Sequence, residues 1–134
     1  MSRARRTGLA CALTAALLVA LAAPASAGDA GAAMKGPAGD WRTTTNGVKQ
    51  TITFTKDGKV YGDSGCNRFT GGYSVNGDRM HIGPLASTMM ACEQKKMDAE
   101  QVFLTRVQAT VSFSATKQVL KLYAPKDMTR FVRK

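Results

Sequence analysis

Histidine and cysteine are scarce in this chain: its 134 residues contain one histidine, His81, and three cysteines. Beyond residue 27 only His81, Cys66 and Cys92 remain, which is not a four-ligand zinc set at a recognised spacing. The GxSxG and HExxH patterns of common hydrolases are also missing. We therefore predict no catalytic residues, no metal and no cofactor. A hydrolase built from distant residues around His81 is the least favoured hypothesis.

Acidic residues are also few, nine against 19 lysines and arginines, so the net charge is +10. The basic residues are scattered and no aromatic-rich RNA-binding motif accompanies them, so we do not predict a nucleic-acid partner. The charge fits either a solubility role or contact with an anionic surface. Beyond residue 27 no apolar run approaches the roughly 20 residues that a membrane helix needs. We therefore do not expect a stable membrane span.

The first 27 residues have the three parts of a secretory signal peptide in the required order. These parts are a basic start, an apolar run and a small-residue cleavage site: Arg3, Arg5 and Arg6, then Leu9 to Ala23, then Ala25-Ser26-Ala27. We predict cleavage after Ala27 and a periplasmic or secreted protein. Cys11 lies near the beginning of the apolar run and not at its end, so we do not expect a lipid anchor.

Residues 28–39 are rich in alanine and glycine and poor in large side chains, which predicts a flexible leader. Residues 40–134 are then enough for one domain with one core, and we expect a monomer. Cys66 and Cys92 would share an oxidising compartment, so we predict that they form a structural disulfide. Closing that loop would stabilise the fold by about 3.5 kcal/mol.

Strand patterns dominate the domain. Gln50 to Phe54 alternates and meets Lys59 to Tyr61 through an Asp57-Gly58 turn, which predicts a hairpin. The turn Asn76-Gly77 predicts a second hairpin, between Phe69 to Val75 and Arg79 to Ile82. Three further strand patterns follow near the end: Val111 to Ala115, Val119 to Tyr123 and Thr129 to Arg133.

One segment is helical in pattern, Met97 to Ala109, with Ala99, Phe103 and Val107 on one stripe. We expect Asp98 and Glu100 to complement the positive N-terminal end of this helix. The order of elements predicts an α+β fold: an antiparallel, strongly curved sheet or partly open β-barrel packed on one main α-helix.

The run Ser64 to Tyr73, SGCNRFTGGY, combines glycines with a cysteine and an asparagine. Gly65, Gly71 and Gly72 fit positions where a side chain would obstruct a bulge or a close strand crossing. We interpret the run as architectural, and a backbone-lined binding niche around Asn67 and Arg68 as the functional alternative. The methionines nearby are interpreted as core filling rather than as copper(I) ligands: Met80, Met89, Met90 and Met97.

Four segments together resemble the META domain family, which includes HslJ-like heat-shock proteins. They are GCNRFTGGY, the NGDRMHIGPLASTMMAC segment from Asn76 to Cys92, EQVFL from Glu100 to Leu104, and VLKLY from Val119 to Tyr123. The resemblance covers about residues 40 to 132, and its motif residues are Gly65, Cys66, Asn67, Arg68, Phe69, Gly71 and Tyr73. It implies a compact α+β domain of bacterial envelopes with links to heat stress and novobiocin tolerance. Ala124 to Met128 departs from the usual Asp-Gly type turn of the family, which should change a loop and not the fold.

Our leading hypothesis is an exported, stress-associated envelope protein without enzymatic activity, which acts by binding or by supporting envelope integrity. Its expected partners are an envelope protein, a lipid or an anionic surface. The second hypothesis is a carrier of a lipid or another small apolar ligand inside a β-barrel pocket, because barrel mouths commonly hold such ligands.

Overall fold

The structure is a computed structural model that describes residues 36–134. The predicted signal peptide, residues 1–27, and most of the predicted leader lie outside this part of the chain. Within the described residues there are nine strands and one helix. The strands are β1 Gly39–Thr45, β2 Val48–Phe54, β3 Lys59–Asp63, β4 Arg68–Asn76, β5 Arg79–Ile82, β6 Ala86–Ser87, β7 Ser112–Ala115, β8 Val119–Ala124 and β9 Asp127–Arg133, and the helix α1 spans Gln94–Gln108.

The strands form a closed antiparallel barrel. Eight of them follow the order β3-β2-β1-β9-β8-β7-β5-β4, and pairing of β3 with β4 closes the ring. The short β6 pairs with Phe69 and Thr70 of β4. Two seams are narrow, because β1 pairs with β9 through two residue pairs and β5 with β7 through one. The α+β prediction with a curved antiparallel sheet and one helix is confirmed, and the barrel is closed where a partly open one was expected.

Both predicted hairpins are present. The Asp57-Gly58 turn joins β2 to β3. The second hairpin turns through Gly77 and Asp78, and Asn76 is the last residue of β4, opposite Arg79. The helix begins at Gln94, three residues before the predicted start, because the sequence pattern shows the buried stripe and not the exposed first turn. The strand β1 was not predicted, since its run of three threonines carries little apolar alternation.

Apolar side chains fill the barrel interior. Alternate residues of the eight barrel strands point inward, and α1 adds its predicted stripe of Ala99, Phe103 and Val107, all of them buried. The Phe103 ring lies 5.7 Å from the Phe69 ring and 6.2 Å from the Phe131 ring, measured between centroids. The buried cluster comprises Trp41, Ile52, Phe54, Val60, Phe69, Met80, Ile82, Phe103, Val107, Phe113, Ala115, Leu120, Leu122 and Phe131. In a barrel-shaped ligand carrier the ligand would occupy the interior, whereas here side chains fill that space.

The start of the domain is anchored by Trp41, which is fully buried. Its indole Nε1 donates a hydrogen bond to the Pro37 carbonyl at 2.7 Å, and the Arg133 guanidinium lies 3.9 Å from its ring centroid. Gly39 has φ of 137°, and a Cβ there would collide with Arg133. Before the boundary predicted at residue 40, Pro37 is buried and Gly39 is the first residue of β1.

No helix within residues 36–134 has the length and apolar character required to cross a membrane. No group of three or more His, Cys, Asp or Glu side chains in the same range is placed to hold a metal ion.

Candidate functional site

The disulfide predicted from the cysteine count is present. It joins Cys66, just before β4, to Cys92, just before α1, with the two Cα atoms 5.9 Å apart. The bond therefore fixes the segment between β6 and α1 against the beginning of β4. This segment, residues 88–93, has no regular secondary structure of its own, so its position depends on such tertiary contacts.

Asn67 is the second tie between these parts of the chain. Its Oδ1 accepts hydrogen bonds from Thr88 Oγ1 at 2.9 Å and from the Met90 backbone N–H at 2.7 Å. Its Nδ2 donates to Glu100 Oε2 at 3.0 Å and, less closely, to the Met90 carbonyl at 3.4 Å. Because the amide is 5% exposed and engaged on both sides, it supports the architectural interpretation of the motif.

Glu100 completes this network from the helix. Its Oε1 lies 2.5 Å from Ser64 Oγ, so the carboxylate joins two residues of the family motif region to α1. Next to it, the buried Gln50 donates from Nε2 to the carbonyls of Ser64 at 2.9 Å and Ala99 at 3.0 Å. These bonds set the distance between α1 and the barrel. We call Asn67, Thr88 and Glu100 the clamp.

The prediction for the acids of the helix is corrected by this geometry. The first turn of α1 contains no acidic residue, because the helix begins earlier than its apolar pattern indicated. Asp98 instead accepts a hydrogen bond from Gln94 Nε2 at 2.7 Å, and Glu100 serves the clamp. The sequence contained a signal for Glu100: it lies three residues before Phe103 and next to Ala99, at the edge of the buried stripe.

An open groove lies between α1 and the segment fixed by the clamp, with a volume of about 630 Å³. One wall is the exposed side of the helix and the other is the segment around Met89 and Met90. The apolar lining is Met89, Met90, Ala91, Met97 and Leu104, and the polar lining includes Asn67, Glu100, Gln101, Thr105 and Gln108. The three clamp residues thus line the groove together with its apolar side chains, and the disulfide holds the segment that forms one wall.

The methionines of this region contradict the core-filling prediction in part. Met80 is buried as expected, at 4% exposure. Met89 is 97% exposed and Met90 64% exposed, and both line the groove. Composition did not reveal this, because a methionine in an irregular segment has no periodicity from which burial can be judged.

The remaining residues singled out from the sequence lie apart from the groove or only frame it. Arg68 contributes backbone bonds, since its N–H donates to Thr88 Oγ1 at 3.1 Å and its carbonyl accepts from the Thr88 N–H at 3.0 Å. His81 is exposed on β5, opposite Ser74, with no acidic side chain bonded to it in the described chain. Tyr73 lies on the inner side of β4, where its ring meets Phe54 edge-on at 4.9 Å and its hydroxyl donates to the Thr55 carbonyl.

At two positions of the motif a side chain would collide with its neighbours, which explains the glycines there. Gly65 has φ of 97°, and a Cβ there would lie 2.3 Å from Val48 Cγ1. At Gly71 a Cβ would lie 2.8 Å from Leu85 Cδ2 and 3.0 Å from the Pro84 carbonyl oxygen. The predicted obstruction does not extend to Gly72, where the nearest atom would be 3.6 Å away.

Solved structures share this fold. The chain is similar to the NMR structure of a protein from Burkholderia xenovorans, with a TM-score of 0.57 and 25% identity over 66% of each chain. It also resembles the 1.00 Å crystal structure of a DUF4847 family protein from Bacteroides vulgatus ATCC 8482, with a TM-score of 0.51 and 17% identity, over 63% of this chain and 59% of that one. No curated protein matches the chain significantly. Both structural likenesses bear on the fold alone.

The family assignment comes from a comparison that covers most of the chain. The META domain model matches residues 37–134, which includes the glycine-rich motif, the disulfide, the clamp and the helix. The match begins at Pro37, the residue whose carbonyl receives the hydrogen bond from Trp41. The chain belongs to the META domain family.

Proposed function

We propose that this protein is an exported, non-enzymatic binding protein of the cell envelope, and that it takes up an apolar segment of another envelope protein in the groove beside α1. The observation that carries the proposal is the pair of exposed methionines, Met89 and Met90, on a segment held in place by a disulfide and by the clamp. In this account the link to stress is the binding of proteins whose apolar segments become exposed when the envelope is damaged.

The chemistry of the groove supports an apolar occupant. Unbranched methionine side chains adapt to irregular apolar surfaces, and they are frequent on surfaces that accept varied partners. Leu104 and Met97 continue the apolar lining along the helix. An exposed apolar patch rimmed by polar side chains is typical of a protein interaction site, since leaving it in water is unfavourable.

The dimensions of the groove support a peptide segment. Its helical wall runs from Met97 to Gln108, which corresponds to about 16 Å of helix. A segment of several residues fits such a length whether it is extended or helical. The barrel interior is occupied by aromatic and aliphatic side chains, so an apolar molecule would find room at the groove rather than inside the barrel.

The surroundings of the titratable groups support a binding role over catalysis. His81 lies on the outer face of β5 and lines a different depression from the groove. Glu100, which does reach the groove, is bonded to Ser64 and Asn67 and thus already has partners for its charge. A general base must lie within hydrogen-bond reach of the substrate proton that it removes.

Site-directed photo-crosslinking in the cell tests the proposal. A photoreactive amino acid replacing Gln101, which lies exposed on the groove wall, should capture envelope proteins, and more of them after heat stress. The matched control replaces Gln118, another exposed glutamine, in the turn before β8. Equal crosslinking from both positions, or none from Gln101, would contradict the proposal.

A lipid is the second candidate for the same groove, favoured by its predominantly apolar lining. Mass spectrometry of protein purified gently from its native compartment distinguishes the two occupants. The groove would be assigned to lipid if the protein carries one lipid per chain, if Leu104→Gln loses this lipid, and if the crosslinking experiment captures no protein.

A further inference from the structure

Four neighbouring barrel strands, β2, β1, β9 and β8, carry cations on their outer side. On each strand these residues alternate with the side chains that fill the core. We call this set the basic face: Arg42, Lys49, Lys121, Arg130 and Lys134. Four of its members are exposed and Lys121 is half-buried. The basic face lies on strands that do not line the groove.

The strand register brings like charges together on the basic face. Lys121 is directly opposite Arg130 in the β8–β9 ladder. These two residues belong to a row that crosses the four strands. Lys49, opposite Thr44 in the β1–β2 ladder, lies at the other end of this row. Two like charges directly opposite each other destabilise a strand pair. An anion bound across this row would relieve the repulsion.

Within residues 36–134 the cations of the basic face take part in no ion pair, and the ion pairs of that range lie elsewhere, as between Arg106 and Asp127 at 2.5 Å. Two carboxylates lie beside the face, and neither forms an ion pair with its cations. Asp40 accepts a hydrogen bond from Thr53 Oγ1 at 2.7 Å, and Asp63 accepts one from the Gly65 N–H at 2.7 Å.

A cleft at the narrow seam between β1 and β9 lies within the basic face. Beyond Arg42 the ladder stops, and Thr43 Oγ1 donates to the Arg130 carbonyl at 2.9 Å. The cleft has a volume of about 500 Å³ and is lined by four of the five cations together with threonine side chains. Cations and hydroxyl groups around one opening supply the donors that a phosphate group accepts.

We propose that the basic face docks onto the surface of a bilayer that contains anionic phospholipids, with one lipid phosphate in the cleft. Lys121 lies outside the cleft but opposite Arg130, so the face extends beyond what one phosphate can cover. A bilayer presents many mobile phosphates, which adjust to cations spread over four strands without a fixed matching shape. The interaction would orient the protein on a membrane and leave the groove free.

Vesicle co-sedimentation of the chain that begins at Gly28 tests this inference. Vesicles of phosphatidylcholine alone are compared with vesicles that also contain phosphatidylglycerol. The test variant combines R42Q, K49Q and R130Q, and the matched control combines K56Q, R79Q and K126Q, which removes the same charge from other exposed positions. Near-native circular dichroism and thermal unfolding of both variants establish that they are folded.

We expect binding to the anionic vesicles only, weakening with added salt. Each lost cation should lower the affinity about fivefold, so the test variant should bind on the order of a hundredfold more weakly, and the control should bind within a few fold of the parent. Equal losses in test and control variants would overturn the inference, because net charge alone would then explain binding. Binding to soluble polyphosphate or nucleic acid but not to vesicles would overturn the assignment to a membrane. A groove variant, L104Q, should bind vesicles normally, so this result and that of the crosslinking experiment can fail separately.

Discussion

Replacing Asn67 by alanine should destabilise the domain strongly while leaving it folded at room temperature. The substitution removes one hydrogen bond to the carboxylate of Glu100 and two from Thr88 and Met90, at a position that is 5% exposed. Bonds to neutral groups contribute about 1 kcal/mol each and bonds to charged groups somewhat more, so the loss is about 3 kcal/mol. A small domain has roughly 5–15 kcal/mol of stability, which leaves a folded majority.

Urea and thermal unfolding measure this loss. For a domain of this size about 3 kcal/mol corresponds to a fall in Tm of roughly 12–24 °C. The matched control is Asn76→Ala, at an exposed asparagine at the end of β4, which should change stability by no more than about 0.5 kcal/mol. If Asn67→Ala lies within about 1 kcal/mol of the parent protein, the clamp does not hold the groove in the way described.

A second variant separates the loss of bonds from the effect of charge. Asn67→Asp keeps an acceptor for Thr88 and Met90 but places a carboxylate where Nδ2 donated to Glu100. Like charges at that separation raise the pKa of one carboxyl in the folded state. A raised folded-state pKa means that stability falls as pH rises through it, so Asn67→Asp should regain stability on acidification relative to the parent. A constant difference across the acidic range would contradict this.

Three further predictions test other parts of the structure. Burial, with a smaller effect of the nearby Asp57 charge, raises the pKa of Tyr73 above its ordinary value of 10.0. The free energy of unfolding should therefore fall as pH rises past about 10, because the tyrosine loses its proton more readily in the unfolded chain. In unfolding experiments Tyr73→Phe should lose about 1 kcal/mol at neutral pH and show a shallower decline of stability at alkaline pH. Replacing Gly65 by alanine should cost about 2 kcal/mol more than replacing Gly77, because both have positive φ but only at Gly65 would the Cβ meet a neighbour; equal losses would refute the steric explanation. Replacing Cys66 and Cys92 by serine should cost about 3.5 kcal/mol, and non-reducing peptide mapping of the parent protein should recover the two cysteines in one linked pair, whereas free thiols at both would contradict the bridge.

The elements that the sequence predicted well are those with strong local signals. Asp57-Gly58 and Asn76-Gly77 combine turn chemistry with alternating flanks, and each leads to the predicted hairpin. The buried stripe of α1 could likewise be predicted, because its residues recur at helical spacing, and all of them are buried in the structure. The closed ring could not be predicted, since it also requires the pairing of β1 with β9, which lie near opposite ends of the described residues.

The candidate site was only partly predictable for the same physical reason. Cys66 and Cys92 could be paired from their number and expected compartment, and Asn67 was recognisable within a glycine-rich bend. The bond from Asn67 to Glu100 spans 33 residues and leaves no periodic trace. The exposure of Met89 and Met90 depends on that long-range clamp, which is why composition placed them wrongly in the core.

The central claim, that the groove beside α1 binds apolar segments, is tested most directly by NMR of methyl-labelled methionines. The chain from Gly28 is titrated with a leucine-rich amphipathic peptide, and the internal controls are Met80, which is buried, and Met128, which is 43% exposed on β9 away from the groove. We predict saturable shifts of the Met89, Met90 and Met97 methyl signals, with Met80 and Met128 unchanged. Equal shifts at Met128, or no saturable shift at Met89 and Met90, would contradict the claim.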